Sequence, residues 1–324
     1  MIASISVVIP TYNRAHTIAR CLRSVVQQTL PPMEVIVVDD CSSDNTVSMV
    51  QGLGYPSVRV VVLEQNSGAQ AARNRGIREA HGEWIAFQDS DDEWIKNKLE
   101  IQYHYNLTNG LNVSYTNAWI HKDQSRWLYD MPDYSMDTYK CLLAKYGPMF
   151  PSLLVRRQCL VEIGFLDECV PSYQEWDTSI RLARRNNFGF INQPLFVYHL
   201  HQGETISKDV AREALGVSYI AQKHREEIVR VAGAAVYRRH CLDIAERFRR
   251  AGNPARERAF LKDSVRFQEG FARRCAERLL LLYCPLFRMY LEQGESFPRL
   301  WARMIVKTKM FIARIIGRYE DHNP

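Results

Sequence analysis

The 324-residue sequence contains no Cys-x-x-Cys pair; its eight cysteines stand singly. That spacing argues against a zinc site and against a disulfide framework, so reduced thiols are expected. A long apolar run is also missing. The longest, Leu279 to Phe287, is interrupted by Pro285, flanked by Arg278 and Arg288, and too short to span a bilayer. No basic leader precedes Ile5-Ser6-Val7-Val8-Ile9-Pro10, and Thr11-Tyr12-Asn13 follows, so this run is expected to be a strand and not a signal peptide. Neither Gly-x-x-x-x-Gly-Lys-[Ser/Thr] nor Gly-x-Gly-x-x-Gly occurs, which leaves kinase and dehydrogenase readings without support.

What is present is ordinary globular material, 46% hydrophobic and 24% charged, enough for a sizeable core. The length suggests one large domain plus an accessory part. Charge is uneven. Residues 1–210 hold 19 Lys/Arg and 23 Asp/Glu, whereas residues 211–324 hold 23 and 13. The basic C-terminal third favours an anionic partner such as inner-leaflet lipid. Nucleic acid is not expected, because no recognised binding motif accompanies the charge.

The first hundred residues alternate apolar runs with helical patterns. Ile5–Ile9, Val35–Val38, Val58–Leu63 and Trp84–Phe87 are predicted strands. Ile18, Cys21, Leu22, Val25 and Val26 recur at helical spacing, and Gly68 to Ala80 is a predicted helix. This alternation predicts an α/β fold, a mostly parallel sheet covered by helices. Ligands of such sheets bind at the carboxyl ends of the strands. Pro10-Thr11, Asp39-Asp40 and Asp89–Asp92 each sit at such an end and should converge on one crevice. Further strands are predicted at Val113–Trp119 and Phe190–Leu200, with a polar loop feeding a helix over 172–185. From about Val210 the pattern is helical, with two helices joined at Ala251-Gly252-Asn253-Pro254. The expected division is therefore an α/β domain over 1–209 and a basic α-helical region over 210–324.

Asp89, Asp91 and Asp92 repel one another unless water or a cation screens them. At a strand end they can offer hard oxygen ligands to Mg²⁺ or Mn²⁺. They can equally form a solvated turn capping a helix that starts near Glu93, and the four residues alone leave the two readings level.

Longer motifs carry a resemblance. Ser6-Val7-Val8-Ile9-Pro10-Thr11-Tyr12-Asn13-Arg14 resembles the opening of family 2 glycosyltransferases of the GT-A fold. So do Glu34-Val35-Ile36-Val37-Val38-Asp39-Asp40-Cys41-Ser42-Ser43-Asp44-Asn45-Thr46 and Gly68-Ala69-Gln70-Ala71-Ala72-Arg73-Asn74-Arg75-Gly76. Gly82-Glu83-Trp84-Ile85-Ala86-Phe87-Gln88-Asp89-Ser90-Asp91-Asp92-Glu93-Trp94 matches that family's metal motif. Four motifs in order over about a hundred residues are specific as a set. The resemblance covers roughly residues 3–207.

The resemblance implies a GT-A-type domain that binds a nucleoside-diphosphate sugar, with a UDP-sugar favoured. Pro10, Thr11 and Tyr12 would line the nucleotide pocket, Asp39 would accept a hydrogen bond from the base, and Arg73 would face the nucleotide as a cation. Asp91 would be the main Mn²⁺ or Mg²⁺ ligand, Asp89 would serve ribose or metal, and Asp92 would stand behind them. In Tyr173-Gln174-Glu175-Trp176-Asp177, Glu175 holds the position of the base that activates the acceptor hydroxyl, one methylene longer than the family's usual Asp. Its bland alternative is a helix cap. Asp177 and Arg181 are spaced for a helix-surface ion pair. In Tyr198-His199-Leu200-His201, His201 fits the position that can reach metal or phosphate.

Processive members of the family carry transmembrane helices and a late Gln-x-x-Arg-Trp; here Gln124-Ser125-Arg126-Trp127 is one residue short and too early. A non-processive, inverting transferase is therefore implied, of the hexosyl or N-acetylhexosaminyl type, adding single sugars to a glycan or lipid-linked acceptor. Two alternatives stay open. A nucleotidyltransferase would want a Gly-rich, cationic loop after the first strand, which Thr11-Tyr12-Asn13-Arg14 does not supply. A non-catalytic nucleotide-sugar-binding scaffold is opposed by the retained acids. The expected location is cytoplasmic, with the basic third docking on the inner membrane face. The competing role for that third is a helical subdomain that covers the sheet or forms a homodimer.

Overall fold

The alternation read from the sequence resolves into a nine-stranded sheet with helices against it. The computed structural model describes residues 3–200 and 209–267. β1 (Ala3–Thr11) is buried along almost its whole length, and α1 (Ile18–Val26) buries Ile18, Cys21, Leu22 and Val25, one stripe at helical spacing. β2 (Pro32–Asp39), α2 (Thr46–Gly52), β3 (Val58–Val62), α3 (Ala69–Glu79) and β4 (Trp84–Phe87) follow. α3 packs closely on the sheet at Gly76, where a Cβ would lie 2.4 Å from Val8 Cγ1 and 3.3 Å from Val38 Cγ2.

These four strands are parallel, in the order β3-β2-β1-β4. Their register places the site. Thr11 pairs with Asp39, and Val8 with Phe87, so the polar residues that end β1, β2 and β4 emerge side by side.

The second half of the sheet is mixed. β5 (Glu93–Trp94), α4 (Lys98–Asn109), β6 (Val113–Lys122), β7 (Ser125–Tyr129), α5 (Thr138–Ala144), β8 (Leu154–Arg156), α6 (Arg157–Glu162), α7 (Gln174–Ala183) and β9 (Phe188–His199) complete it. β8 runs antiparallel between β4 and β6, and β9 lies parallel to β6. A helix expected near Glu93 begins only at Lys98. Glu93 and Trp94 instead pair antiparallel with Val197 and Phe196. Trp94 is 4% exposed and its indole donates to Pro151 O, a tertiary anchor that overrides the local capping pattern.

Beyond residue 209 only helices occur among the described residues: α8 (Val210–Lys223), α9 (Arg225–Glu227) running into a π turn at Ile228–Ala232, α10 (Ala234–Arg250) and α11 (Pro254–Arg266). The chain forms two units, one ending at Ala232 and the other beginning at Gly233. In the second, α10 and α11 meet across the turn at Ala251–Asn253, with Phe248 stacked on Phe260. Asn253 caps α11 by accepting from Arg256 N, and Pro254 opens it, where a missing N–H costs nothing. The rest of the helical region expected from the sequence, beyond residue 267, lies outside the described residues.

Candidate active site

The strand tips open on a cleft of about 1060 Å³. Pro10 to Arg14, Asp40 and Asp89 to Asp91 line it from the ends of β1, β2 and β4. Gly68, Ala69 and Arg73 line it from the start of α3, Met149 to Pro151 from the loop before β8, and Ser172 to Glu175 from the start of α7. Tyr198 and His199 close the end of β9, and Asp209, Arg212 and Glu213 come from the start of α8.

Backbone geometry around the cleft is specialised. Asn13, Cys41 and Tyr173 all have positive φ (51°, 62° and 57°), which residues with a Cβ seldom adopt and which clusters at functional sites. The Asn13 turn is held by the next strand's loop: its N–H donates to Ser42 Oγ at 2.8 Å, and its Oδ1 accepts from Ser43 N at 2.9 Å. The tips of β1 and β2 are thereby stitched together.

Of the residues expected at the nucleotide, Pro10, Thr11, Tyr12, Arg73 and Asp89 line the cleft, and Asp39 does not. Tyr12 is 44% exposed and presents an open aromatic ring at the cleft. Thr11 Oγ1 is buried without a partner. Asp39 is buried behind the wall, where Ser42 donates to it through Oγ (2.6 Å) and N–H (2.8 Å). Its neighbour Asp40 faces the cleft and accepts from Ser67 N and Gly68 N, which anchors the turn into α3. Successive side chains at a strand end point to opposite sides, and the sequence alone does not say which of two acids faces inward.

Arg73 is a buried cation of the cleft wall. It is 5% exposed, donates from Nη2 to Asp89 Oδ1 at 2.6 Å, and lies 4.3 Å over the Phe150 ring. Its Nε and Nη1 are buried with no partner in the protein. A guanidinium in the cleft wall with two nitrogens unpaired by the protein has donors to offer an anionic oxygen. Burial raises the Asp89 carboxyl above its ordinary value, against the pull of Arg73.

The three carboxylates divide. Asp91 lines the cleft, with Arg14 Nε 3.4 Å from Oδ2. Asp92 is fully buried; its Oδ1 accepts from His199 N at 2.9 Å and so fixes the end of β9. Burial, with Asp91 and Asp89 nearby, raises the Asp92 carboxyl well above its usual range. Among the described residues no group of three His, Cys, Asp or Glu side chains forms a ready cation site. Two cleft carboxylates nevertheless suit a hard cation that completes its shell with phosphate oxygens and water. His201 lies outside the described residues. His199 lines the cleft, but its ring is engaged by Glu93 Oε1 at 2.7 Å and His121 Nδ1 at 3.1 Å.

Glu175 stands in the first turn of α7, and burial raises its carboxyl to about 7, Arg73 pulling it down and Asp89 pushing it up. A carboxylate poised there can accept a proton near neutrality. Asp177, two residues on, faces the other way. It is 1% exposed and takes Arg181 Nε at 2.8 Å, the pair its spacing predicted but buried and not on the helix surface, together with His224 Nε2 and Lys223 Nζ at 2.7 Å each.

Arg14, Asp40 and Phe150 join the cleft without having been given a role from sequence. Arg14 and Asp40 sat inside quoted motifs; Phe150 and the start of α8 gave no local signal.

Residues 6–158 match the family model for glycosyl transferase family 2. The chain is 40% identical over 188 residues to an Escherichia coli protein named UDP-Glc:alpha-D-GlcNAc-diphosphoundecaprenol beta-1,3-glucosyltransferase, covering 58% of this chain and 73% of that one. The S. aureus TarS structure, residues 1–349 with UDP-GlcNAc, superposes with a TM-score of 0.67 at 20% identity, over 92% of this chain and 93% of that one. A mannosyltransferase from Pyrobaculum calidifontis, solved with GDP-Man and Mn²⁺, superposes with a TM-score of 0.58 at 18% identity, over 90% and 84%. At these identities the two structures establish a shared GT-A fold.

Proposed function

The chain belongs to glycosyl transferase family 2 and is a glycosyltransferase, and on that premise we propose that it moves one sugar from a UDP-sugar to a hydroxyl of a lipid-linked glycan, with inversion. The observation that carries this reading is that Glu175, Arg73, Asp89 and Asp91 line a single cleft, with the Glu175 carboxyl raised to about 7. The UDP-Glc donor and diphosphoundecaprenol-linked acceptor in the relative's name support the choice of substrates.

In the proposed reaction, Glu175 takes the proton of the acceptor hydroxyl as its oxygen attacks the anomeric carbon. The bond from that carbon to the diphosphate breaks, and its electron pair leaves with the nucleotide. Displacement from the opposite face turns an α-linked donor into a β-linked product. Arg73 directs its idle N–H groups at the diphosphate, where negative charge grows. Tyr12 and Thr11 hold the nucleoside. Asp39, behind the cleft wall, is proposed to act on the nucleoside indirectly, by holding the Ser42 turn. Mn²⁺ or Mg²⁺ held by Asp91 and Asp89 would neutralise charge on the departing diphosphate.

No helix among the described residues is long and apolar enough to cross a membrane. Contact of the basic C-terminal third with anionic lipid is proposed from charge, and flotation with anionic and neutral liposomes tests it.

The main test is a screen of UDP-, GDP- and dTDP-sugars with a lipid-diphosphate-linked N-acetylglucosamine acceptor, with Mn²⁺ or Mg²⁺. Transfer from a UDP-sugar with a β-linked product is expected. A product that keeps the donor's anomeric configuration would overturn the mechanism.

A further inference from the structure

Resting on the reading of Glu175 as the base, we propose that the first two turns of α8 are its positioning device, with Glu213 acting through Tyr173. Tyr173 is the N-cap of α7 and stands two residues ahead of Glu175. Its φ of 57° and ψ of 36° are left-handed, and its side chain makes no cap to the helix it opens. A tyrosine holds that conformation only where the surroundings over-determine it.

α8 supplies the determination. Tyr173 Oη donates to Glu213 Oε1 at 2.7 Å, across 40 residues of sequence. Arg212 Nε donates to Pro171 O at 2.8 Å, and Ser172 Oγ donates to Arg212 O at 3.0 Å. Gly216, one turn further, leaves no space: a Cβ there would lie 2.1 Å from Ser172 Oγ and 2.5 Å from Ser172 O. Each of the three residues 171–173 is therefore tied to, or packed against, one helix. On the other side of Glu175, Trp176 Nε1 donates to Leu142 O at 2.7 Å, and Tyr146 packs on both Tyr173 and Trp176 at 5.0 Å between centroids. Glu175 is thus carried between two fixed points.

Placement of this kind matters for rate, because a displacement of about 1 Å at a reacting group can cost roughly a hundredfold. The charged groups bearing on Glu175 are Arg73 of α3 and Asp89 after β4, and neither belongs to α8. Glu213 influences the base by holding the loop, through the oxygen that accepts from Tyr173 Oη.

Transfer kinetics of the full chain test this, with UDP affinity measured by calorimetry. Tyr173→Phe and Glu213→Ala are each expected to lower kcat about tenfold or more. The midpoint of the pH–rate profile should move down toward the ordinary carboxylate value as water reaches Glu175, and UDP affinity should hold. Glu213→Gln, which keeps an accepting oxygen, should recover most of the rate lost in Glu213→Ala. The double variant Tyr173→Phe/Glu213→Ala should be no slower than the slower single one. Additive losses, an unmoved pH midpoint, or Glu213→Gln as slow as Glu213→Ala would each overturn the proposal. If Glu213→Ala fails to fold, Tyr173→Phe removes a single oxygen and carries the test alone. Full activity in Glu175→Gln would instead refute the base assignment, whatever the α8 variants do.

Discussion

Arg73 and Asp89 form a 2.6 Å ion pair inside the cleft, and the arginine's remaining N–H groups have no protein partner. The pair leaves half of a strong anion receptor unused. Removing the guanidinium should therefore do two things. Arg73→Met is expected to weaken UDP binding by about 2 kcal/mol, the scale of a hydrogen bond to a charged group. It should also lower thermal stability, since Asp89 loses its counter-charge in a part-buried place. Calorimetry with UDP and a thermal melt read the two effects separately; unchanged UDP affinity would count against the assignment.

Glu175 makes activity and stability respond to pH in opposite directions. As a base it must be ionised, so the transfer rate should rise with pH and level off above about 7. The unfolded carboxyl titrates near 4.5 and the folded one near 7, so between these values the folded state holds more protons. Stability falls as pH rises through that window, and the loss persists above it. Glu175→Gln should abolish most transfer and be more stable than the parent at pH 8 by about 3 kcal/mol, the worth of a rise from 4.5 to about 7. The two melts should converge near pH 4.

Asp91 and Asp89 are proposed to share a divalent cation with substrate phosphate. Chelation should stop transfer, and added Mn²⁺ or Mg²⁺ should restore it. Asp91→Asn should raise the half-saturating metal concentration more than about tenfold, while Asp92→Asn should act mainly on stability, because Asp92 holds the β9 backbone. A metal titration of each variant separates the two acids.

Asp177 anchors α7 to α8. Burial pushes its carboxyl up, but the hydrogen bond from His224, the charge of Arg181 and the Lys223 ammonium outweigh burial and hold it well below the carboxylate range. Its stabilisation is therefore present above the unfolded value of 3.8 and is lost as pH falls below it. Asp177→Asn, which strands buried cationic partners, should cost about 3–5 kcal/mol in denaturant melts at pH 7. A variant as stable as the parent would show the cluster to be incidental.

Local pattern determined much of this protein. Trp84–Phe87 is a strand over the residues its apolar run marks, and the β1, β2 and α3 stretches fold where their periodicity places them. Burial of apolar side chains is a short-range choice between periods of 2 and 3.6, so sequence carries it. The strand end at Phe87 places Asp89–Asp92 at the crevice by local pattern alone, whereas Arg73, Glu175 and the division of work between Asp89 and Asp91 come from the resemblance to family 2 glycosyltransferases. Tertiary structure decided the rest. Whether Asp39 or Asp40 faces the cleft depends on how one strand end emerges beside β1. Glu93–Trp94 becomes a strand only because Val197 and Phe196 arrive opposite it. Glu213 reaches Tyr173, and Arg212 reaches Pro171, from about forty residues away. Those contacts depend on where whole elements meet, which no local period encodes.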